Sequence, residues 1–151
     1  MTDTALKTRL EPAPETVLVT DSGFSLDDWT GPEHRSATLA PEDLTPDLVQ
    51  NLAPRLPDLD LIRVPFASFA DGRGFTLARA LRRMGYRGRL RAVGHVLADQ
   101  YAMARRAGFD EVEIDAALAA RQPQEQWRAR ADWQAHDYQA RLRGSRTAPR
   151  P

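Results

Sequence analysis

The sequence predicts an α/β protein, a three-layer sandwich around a small, mostly parallel sheet built from consecutive β–α–β units, with an additional C-terminal helix. Two observations lead to this prediction. After residue 60, short β-rich runs alternate with segments of helical periodicity. Two of these helical segments also end alike, in RRMGY at residues 82–86 and in RRAGF at residues 105–109. A helix, a glycine, an aromatic residue and a strand, used twice, indicate right-handed β–α–β units, which produce parallel strands.

The first third of the chain is predicted to feed the sheet. Residues 1–14 are polar and contain two prolines, so we predict a mobile arm before a single α/β domain over residues 15–122. A β-rich run at residues 16–19 predicts the first strand, and residues 21–23 predict a turn. A helix is predicted from Pro41 to about Leu52, because proline and acidic residues favour the first turn of a helix.

The pattern is clearest in the middle of the chain. Three β-rich runs predict strands at residues 61–66, 89–93 and 112–114. Between them, apolar residues at helical spacing predict helices at residues 75–84 and 96–107. Each of these helices is followed by a glycine, which accepts the left-handed conformation that often ends a helix.

The C-terminal segment is predicted as a helix over residues 123–143, followed by a basic, disordered tail over residues 144–151. Most residues of this segment have high helix propensity, but few apolar residues align on one face of the helix. Trp127, Ala131 and Tyr138 share one face of this helix. We interpret the segment as a helix that lies across the sheet or onto a partner.

The composition fits one cysteine-free domain of 151 residues. The absence of cysteine excludes disulfides, thiolate nucleophiles and Cys-ligated metal or iron–sulfur centres within this sequence. No apolar run approaches the ~20 residues that span a bilayer, and the N-terminus lacks the apolar core of a signal peptide. These features predict a cytoplasmic protein that does not bind membranes.

The charge is unevenly distributed along the chain. Residues 1–60 carry 4 Lys or Arg against 12 Asp or Glu, residues 61–120 carry 10 against 6, and residues 121–151 carry 7 against 3. The net charge of the whole chain is zero. An acidic first third on a basic remainder indicates internal pairing or a docking surface of two signs. It argues against nucleic acid as a partner, because nucleic-acid-binding proteins usually carry an uncompensated basic charge.

Four motifs resemble one bacterial family, known as domain of unknown function 934: FADGRGFTLAR at residues 69–79, GYRGRLRAVG at residues 85–94, VLADQ at residues 96–100 and RAGFD at residues 106–110. The resemblance covers roughly residues 60–115. Members are usually encoded beside assimilatory sulfite reductase, so the resemblance implies a role in sulfite reduction, sulfur assimilation and cysteine biosynthesis. His95 departs from the aspartate that the family more often carries, so it is not expected to be a shared catalytic group.

The loop Asp71-Gly72-Arg73-Gly74 is the first candidate site. It joins a predicted strand to a predicted helix, where ligands bind in open α/β sheets and free amides attract anions. Arg73 offers a planar fork for an oxyanion, and Asp99 is a candidate ligand-binding residue at the same sheet edge. Arg63 is a further candidate, which lies inside a predicted strand and points to the crevice or to solvent according to the phase of that strand. The alternative interpretation is structural: Asp71 caps the helix and the glycines permit the turn.

The second candidate is a basic cluster on the first of the two middle helices. Arg79, Arg82 and Arg83 share one side of that helix, opposite its apolar stripe. We predict a docking surface for an acidic partner, and the alternative is an ordinary solvated face. The three histidines lie far apart and lack metal-binding spacing, so no metal site is predicted, and the sequence identifies no cofactor.

Three functional hypotheses follow. The first, which rests on the resemblance, is a non-catalytic accessory protein of assimilatory sulfite reduction that binds the reductase or its electron-donor protein. The second is an enzyme or ligand-binding domain that holds a small oxyanion or a nucleotide at the crevice of Asp71 to Gly74. The third is a homo-oligomeric scaffold that associates through the C-terminal helix with Trp127, Trp133 and Tyr138. The sequence leaves open whether the protein catalyses a reaction.

Overall fold

The computed structural model describes residues 16–134 of the chain. The predicted N-terminal arm, the C-terminal tail and the predicted helix beyond residue 134 lie outside the described residues. Within them the chain forms one six-stranded sheet of order β2-β1-β6-β5-β4-β3. The strands are β1 (Thr16–Thr20), β2 (Gly23–Ser25), β3 (Ser36–Thr38), β4 (Leu61–Phe66), β5 (Arg89–Gly94) and β6 (Glu111–Asp115).

The sheet is mostly parallel. β3, β4, β5 and β6 run parallel to one another, while β1 pairs with both β2 and β6 in antiparallel fashion. The described helices are α1 (Pro46–Leu52), α2 (Arg73–Arg83), α3 (Tyr101–Ala107), α4 (Ala116–Arg121) and α5 (Gln124–Arg128). None of them has the length and apolar character needed to cross a bilayer.

The two faces of the sheet differ in chemistry. One face is apolar, and its side chains form a single core with buried residues from every described α-helix, including Leu52, Phe75, Tyr101, Leu118 and Trp127. The other face is charged, and residues 26–32 lie over it through ion pairs of Asp27 and Asp28 with β5. The predicted α/β class with a mostly parallel sheet is confirmed. The described α-helices pack on the apolar face and residues 26–32 lie over the charged face, so the arrangement is consistent with three layers.

Three helices differ from their predicted bounds. The helix predicted from Pro41 begins at Pro46, because Thr45 is extended and its side chain accepts a hydrogen bond from Leu48 N–H as an N-cap. Residues 41–43 instead form a short 3₁₀ turn. The helix predicted from residue 96 becomes regular only at Tyr101, after a 3₁₀ turn at residues 98–100. α5 ends at Arg128, and turns continue to residue 134.

The predicted ends of the two middle helices are confirmed. α3 ends at Gly108, which has φ of 119°, and the amide of Phe109 donates to the carbonyl of Ala104. Phe109 folds back into the core, where it lies edge-on to Phe66 at 5.8 Å between ring centroids. A side chain at position 108 is disfavoured by this left-handed backbone, so the glycine fixes where helix gives way to strand.

Candidate functional site

The charged face of the sheet carries a set of ion pairs that we call the sheet-face network. Its members are Arg63 of β4, Arg89 and Arg91 of β5, Glu111 and Glu113 of β6, and Asp27 and Asp28 of the segment above them. The strand register explains the arrangement, because Arg91 is paired with Arg63 on one side and with Glu111 on the other. Paired positions share a face, so the cations of β5 lie beside the carboxylates of β6.

Arg91 is the centre of this network and is 0% exposed. Its Nε donates to Glu111 Oε2 at 2.8 Å, its Nη1 to Glu113 Oε1 at 2.8 Å and its Nη2 to Asp27 Oδ1 at 3.1 Å. Burial by itself lowers the pKa of Arg91, but the hydrogen bonds to Asp27, Glu111 and Glu113 outweigh burial and raise that pKa. The guanidinium therefore stays charged and fixes the positions of three carboxylates.

Arg63 lies at the margin of the network and is held more loosely. Its closest ion-pair contacts are 3.9 Å from Nη2 to Asp27 Oδ2 and 4.0 Å from Nε to Glu113 Oε1, and these distances are too long for hydrogen bonds. A cavity of about 510 Å³ opens beside it, lined by Trp29, Gly31, Glu33, Ser36, Ala37 and Thr38. Arg63 therefore faces the charged side of the sheet.

A second cavity opens where β5 and β6 end, and we call it the edge crevice. It has a volume of about 280 Å³ and is lined by Thr16, Phe69, Val93, Gly94, His95, Glu113, Ile114, Asp115, Leu118 and Arg121. Ligands of open α/β sheets bind at the carboxyl ends of parallel strands, which is where this cavity lies. Glu113 belongs to both the edge crevice and the sheet-face network, so the two are continuous.

The polar side chains of the edge crevice differ in how many hydrogen bonds and ion pairs they already make with other described residues. His95 places Nδ1 3.1 Å from the carbonyl oxygen of Phe66, and its ring lies edge-on to Phe69 at 4.9 Å. Asp115 Oδ1 accepts from Leu118 N–H at 2.7 Å and caps α4. Arg121 has no hydrogen bond or ion pair with another residue that the structure describes.

In the predicted ligand loop, the side chains of Asp71 and Arg73 bind each other. Asp71 accepts two hydrogen bonds from the Arg73 guanidinium, at 3.0 and 2.9 Å, and a third from Arg73 N–H at 3.0 Å. The side-chain hydrogen bonds from Arg73 lower the pKa of Asp71 to about 2. Gly74 packs so closely on Phe66 that an added Cβ would lie 2.4 Å from its ring. The helix begins after Gly72, and these contacts account for Asp71, Arg73 and Gly74 as parts of a helix start.

Arg63, Asp71 and Asp99, which are predicted to bind a ligand, each contact a different partner. Asp99 is exposed and binds Arg130 Nη2 at 2.7 Å, Asp71 binds Arg73, and Arg63 faces the sheet-face network. Among the contacts of the described residues, none joins Arg63, Asp71 and Asp99 to one another. No described residue bridges the carboxylates of Asp71 and Asp99.

The three predicted docking arginines fall into two groups. Arg82 turns inward and uses all five of its N–H groups, on the carbonyls of Tyr86, Gly88 and Gly108 and on the carboxylate of Asp110. Arg79 and Arg83 are exposed and have no hydrogen bond or ion pair within the described part of the chain. They lie one turn apart on α2, and we call them the basic stripe.

Replacing Arg82 by alanine is expected to destabilise the protein by about 2 kcal/mol, because hydrogen bonds from a charged donor to partly buried carbonyls are lost. Arg83→Ala is the matched control on the same helix, and its effect on the free energy of unfolding should stay within roughly 0.5 kcal/mol. Urea denaturation of both variants gives the comparison. Equal losses in the two variants would show that Arg82 is not a structural link.

An apolar groove runs beside the basic stripe, between α1 and the C-terminal half of α2. Its volume is about 620 Å³, and it is lined by Leu44, Thr45, Pro46, Val49, Gln50, Ala80, Arg83 and Met84. Arg83 thus belongs to both the stripe and the wall of the groove. An apolar centre with charged residues at its margin is the usual anatomy of a protein-binding surface.

Sequence reasoning missed most of these site residues. Charged residues alternate with apolar ones in β5, at Arg89 and Arg91, and in β6, at Glu111, Glu113 and Asp115. This period of two indicates a charged sheet face, but only the strand order reveals that cations and carboxylates meet. Within residues 16–134, no three His, Asp or Glu side chains are grouped so as to hold a metal ion.

Comparison with known proteins gives one match. A family model described as bacterial protein of unknown function (DUF934) matches residues 43–148, well over half of the chain. The matched part includes β4 to β6, the basic stripe and all of the edge crevice except Thr16. No curated protein and no solved structure matches the chain.

Proposed function

Because the chain belongs to the bacterial family DUF934, of unknown function, we propose that it is a cytoplasmic accessory protein of assimilatory sulfite reduction. In this proposal it binds the reductase or its electron-donor protein and has no redox centre of its own. The link to sulfite reduction rests on the family resemblance of the sequence motifs. The structural observation that supports a docking function is the basic stripe beside the apolar groove.

The two parts of this surface supply different components of binding. Arg79 and Arg83 are exposed cations with no ion pair to any residue of the described range 16–134, so they attract an acidic partner and speed its association. The groove offers apolar side chains, among them Leu44, Val49 and Met84, that a partner can cover. Buried apolar contact is the main source of affinity in protein interfaces. A partner with an acidic, partly apolar surface segment fits both.

Reversing the charge of the stripe, in the variant Arg79→Glu/Arg83→Glu, is expected to lower the affinity for the partner by about tenfold or more, equivalent to about 1.4 kcal/mol. The measurement is a calorimetric titration of the purified protein with sulfite reductase and, separately, with its electron-donor protein. The wild-type affinity should also fall as salt is raised, because exposed charges are screened.

Arg128→Glu is the matched control, because Arg128 is another exposed arginine without a partner in the described part of the chain, on α5 at the opposite edge of the sheet. It should leave the affinity unchanged. If the wild-type protein binds neither the reductase nor the donor, the proposed function is wrong. If it binds and the double variant binds equally well, the stripe is not the docking surface.

A further inference from the structure

We propose that the edge crevice binds a small zwitterion, an α-amino acid with an apolar side chain. This inference is independent of the docking function, because it concerns the carboxyl ends of β5 and β6 and not the outer face of α2. It rests on the charges that line the crevice, on their existing partners and on the size of the cavity.

Two exposed side chains of opposite charge line the crevice and have no charged partner among the residues that the structure describes. Arg121 makes no ion pair within residues 16–134, and neither does Asp115, whose Oδ1 is used only by the amide of Leu118. The two side chains line one cavity yet do not bind each other. Glu113, the other carboxylate of the wall, is already neutralised by the fully buried Arg91 at 2.8 Å.

This charge pattern selects the class of ligand. A simple oxyanion would gain the Arg121 fork but would share the cavity with the carboxylate of Asp115, and a simple cation would share it with the guanidinium of Arg121. A ligand that carries both charges forms an ion pair with each side chain, its carboxylate with Arg121 and its ammonium group with Asp115. The conflict with single-sign ligands also provides the discrimination.

The remaining lining fits the rest of an amino acid. The carbonyl of Phe66 only accepts hydrogen bonds, so a hydrogen bond to it requires a proton on Nδ1 of His95, and in the neutral ring Nε2 is then an acceptor for an ammonium N–H. Phe69, Val93 and Leu118 provide apolar contacts for a side chain. A cavity of about 280 Å³ lies just below the roughly 300–1,000 Å³ of drug-sized sites, which restricts the ligand to small molecules.

The test is calorimetric titration of the full chain with L-leucine and with L-methionine, each compared with its N-acetyl derivative and its methyl ester. We expect saturable binding of at least one parent amino acid and no binding of the derivatives, because each derivative lacks one of the two charges. Binding of neither amino acid, or equal binding of a derivative, would overturn the proposal.

Two variants assign the charges. Arg121→Gln and Asp115→Asn should each weaken binding by about tenfold or more. Asparagine retains the ability to cap α4, so Asp115→Asn removes the charge and keeps the fold, which thermal unfolding verifies. Arg128→Gln, outside the crevice, should bind like the wild type. Unchanged affinity in Arg121→Gln or in Asp115→Asn would contradict the assignment.

Discussion

Replacing Arg91 by methionine is expected to destabilise the protein by about 3–5 kcal/mol, the range for breaking a buried ion pair from one side. The guanidinium is 0% exposed and Glu111 is 5% exposed, so methionine removes, without access of water, one of the two cations that bind this carboxylate at 2.8 Å, and leaves only Arg89. Glu113 and Asp27 lose hydrogen bonds in the same substitution. Urea denaturation measures the change in the free energy of unfolding.

The neighbouring Arg89 provides the matched control. It lies on the same face of β5 and also binds Glu111, at 2.8 Å, but its side chain is 33% exposed. Arg89→Met should therefore cost about 1 kcal/mol, since Glu111 keeps its bond to Arg91 and the other partner of Arg89, Asp28, is exposed to water. A loss in Arg91→Met no larger than in Arg89→Met would show that burial does not set the strength of this network.

A double substitution separates the net contribution of the Arg91–Glu111 ion pair to stability from the cost of removing only one of its partners. In Arg91→Met/Glu111→Leu no buried carboxylate remains opposite the missing cation, so the loss should be clearly smaller than the sum of the two single losses. If the network exists to position Glu113 and not to stabilise the fold, the double variant retains stability and loses the geometry of the edge crevice. Amino-acid titration of the double variant then reports on that geometry.

The middle of the fold was predictable because its signals are local. The strands β4, β5 and β6 and the glycines after α2 and α3 are encoded within a few residues of sequence, and the structure confirms them. The wrong prediction of where α1 begins also has a local cause. Pro41 and Pro46 are both suitable first residues of a helix, and the helix begins at Pro46 because Thr45 acts as its N-cap. Propensity alone does not choose between two such starts.

The candidate site was less predictable, because its geometry is not local. Arg82 and Arg83 are neighbours on one predicted side of α2, yet only the arrival of Gly108 and Asp110 from the next β–α–β unit gives Arg82 its partners. The edge crevice likewise combines residues of β1, β5, β6 and α4. In contrast, Asp71 and Arg73 pair two residues apart, and sequence cannot distinguish such a self-satisfied cap from a ligand loop.

Replacing Trp127 by alanine is expected to destabilise the protein by about 3–5 kcal/mol, the usual range for removing a buried aromatic side chain. Trp127 is 0% exposed and belongs to the same core as the sheet. Its ring lies edge-on to Tyr101 at 6.1 Å, and its Nε1–H donates to the carbonyl of Gln122 at 2.9 Å. Alanine removes the packing and leaves that carbonyl without its donor.

Trp133 provides the control, six residues further along the same segment. Its ring stacks against Arg105 at 4.6 Å and its Nε1 lies 3.3 Å from Asp21 Oδ2, but these contacts are at the surface. Trp133→Ala should therefore cost less than about 1 kcal/mol. If the two variants lose equal stability, Trp127 is not part of the core. If Trp127→Ala alone unfolds at low urea, the chain after Pro123 completes the domain, and Trp127 is not available for the self-association that a scaffold requires.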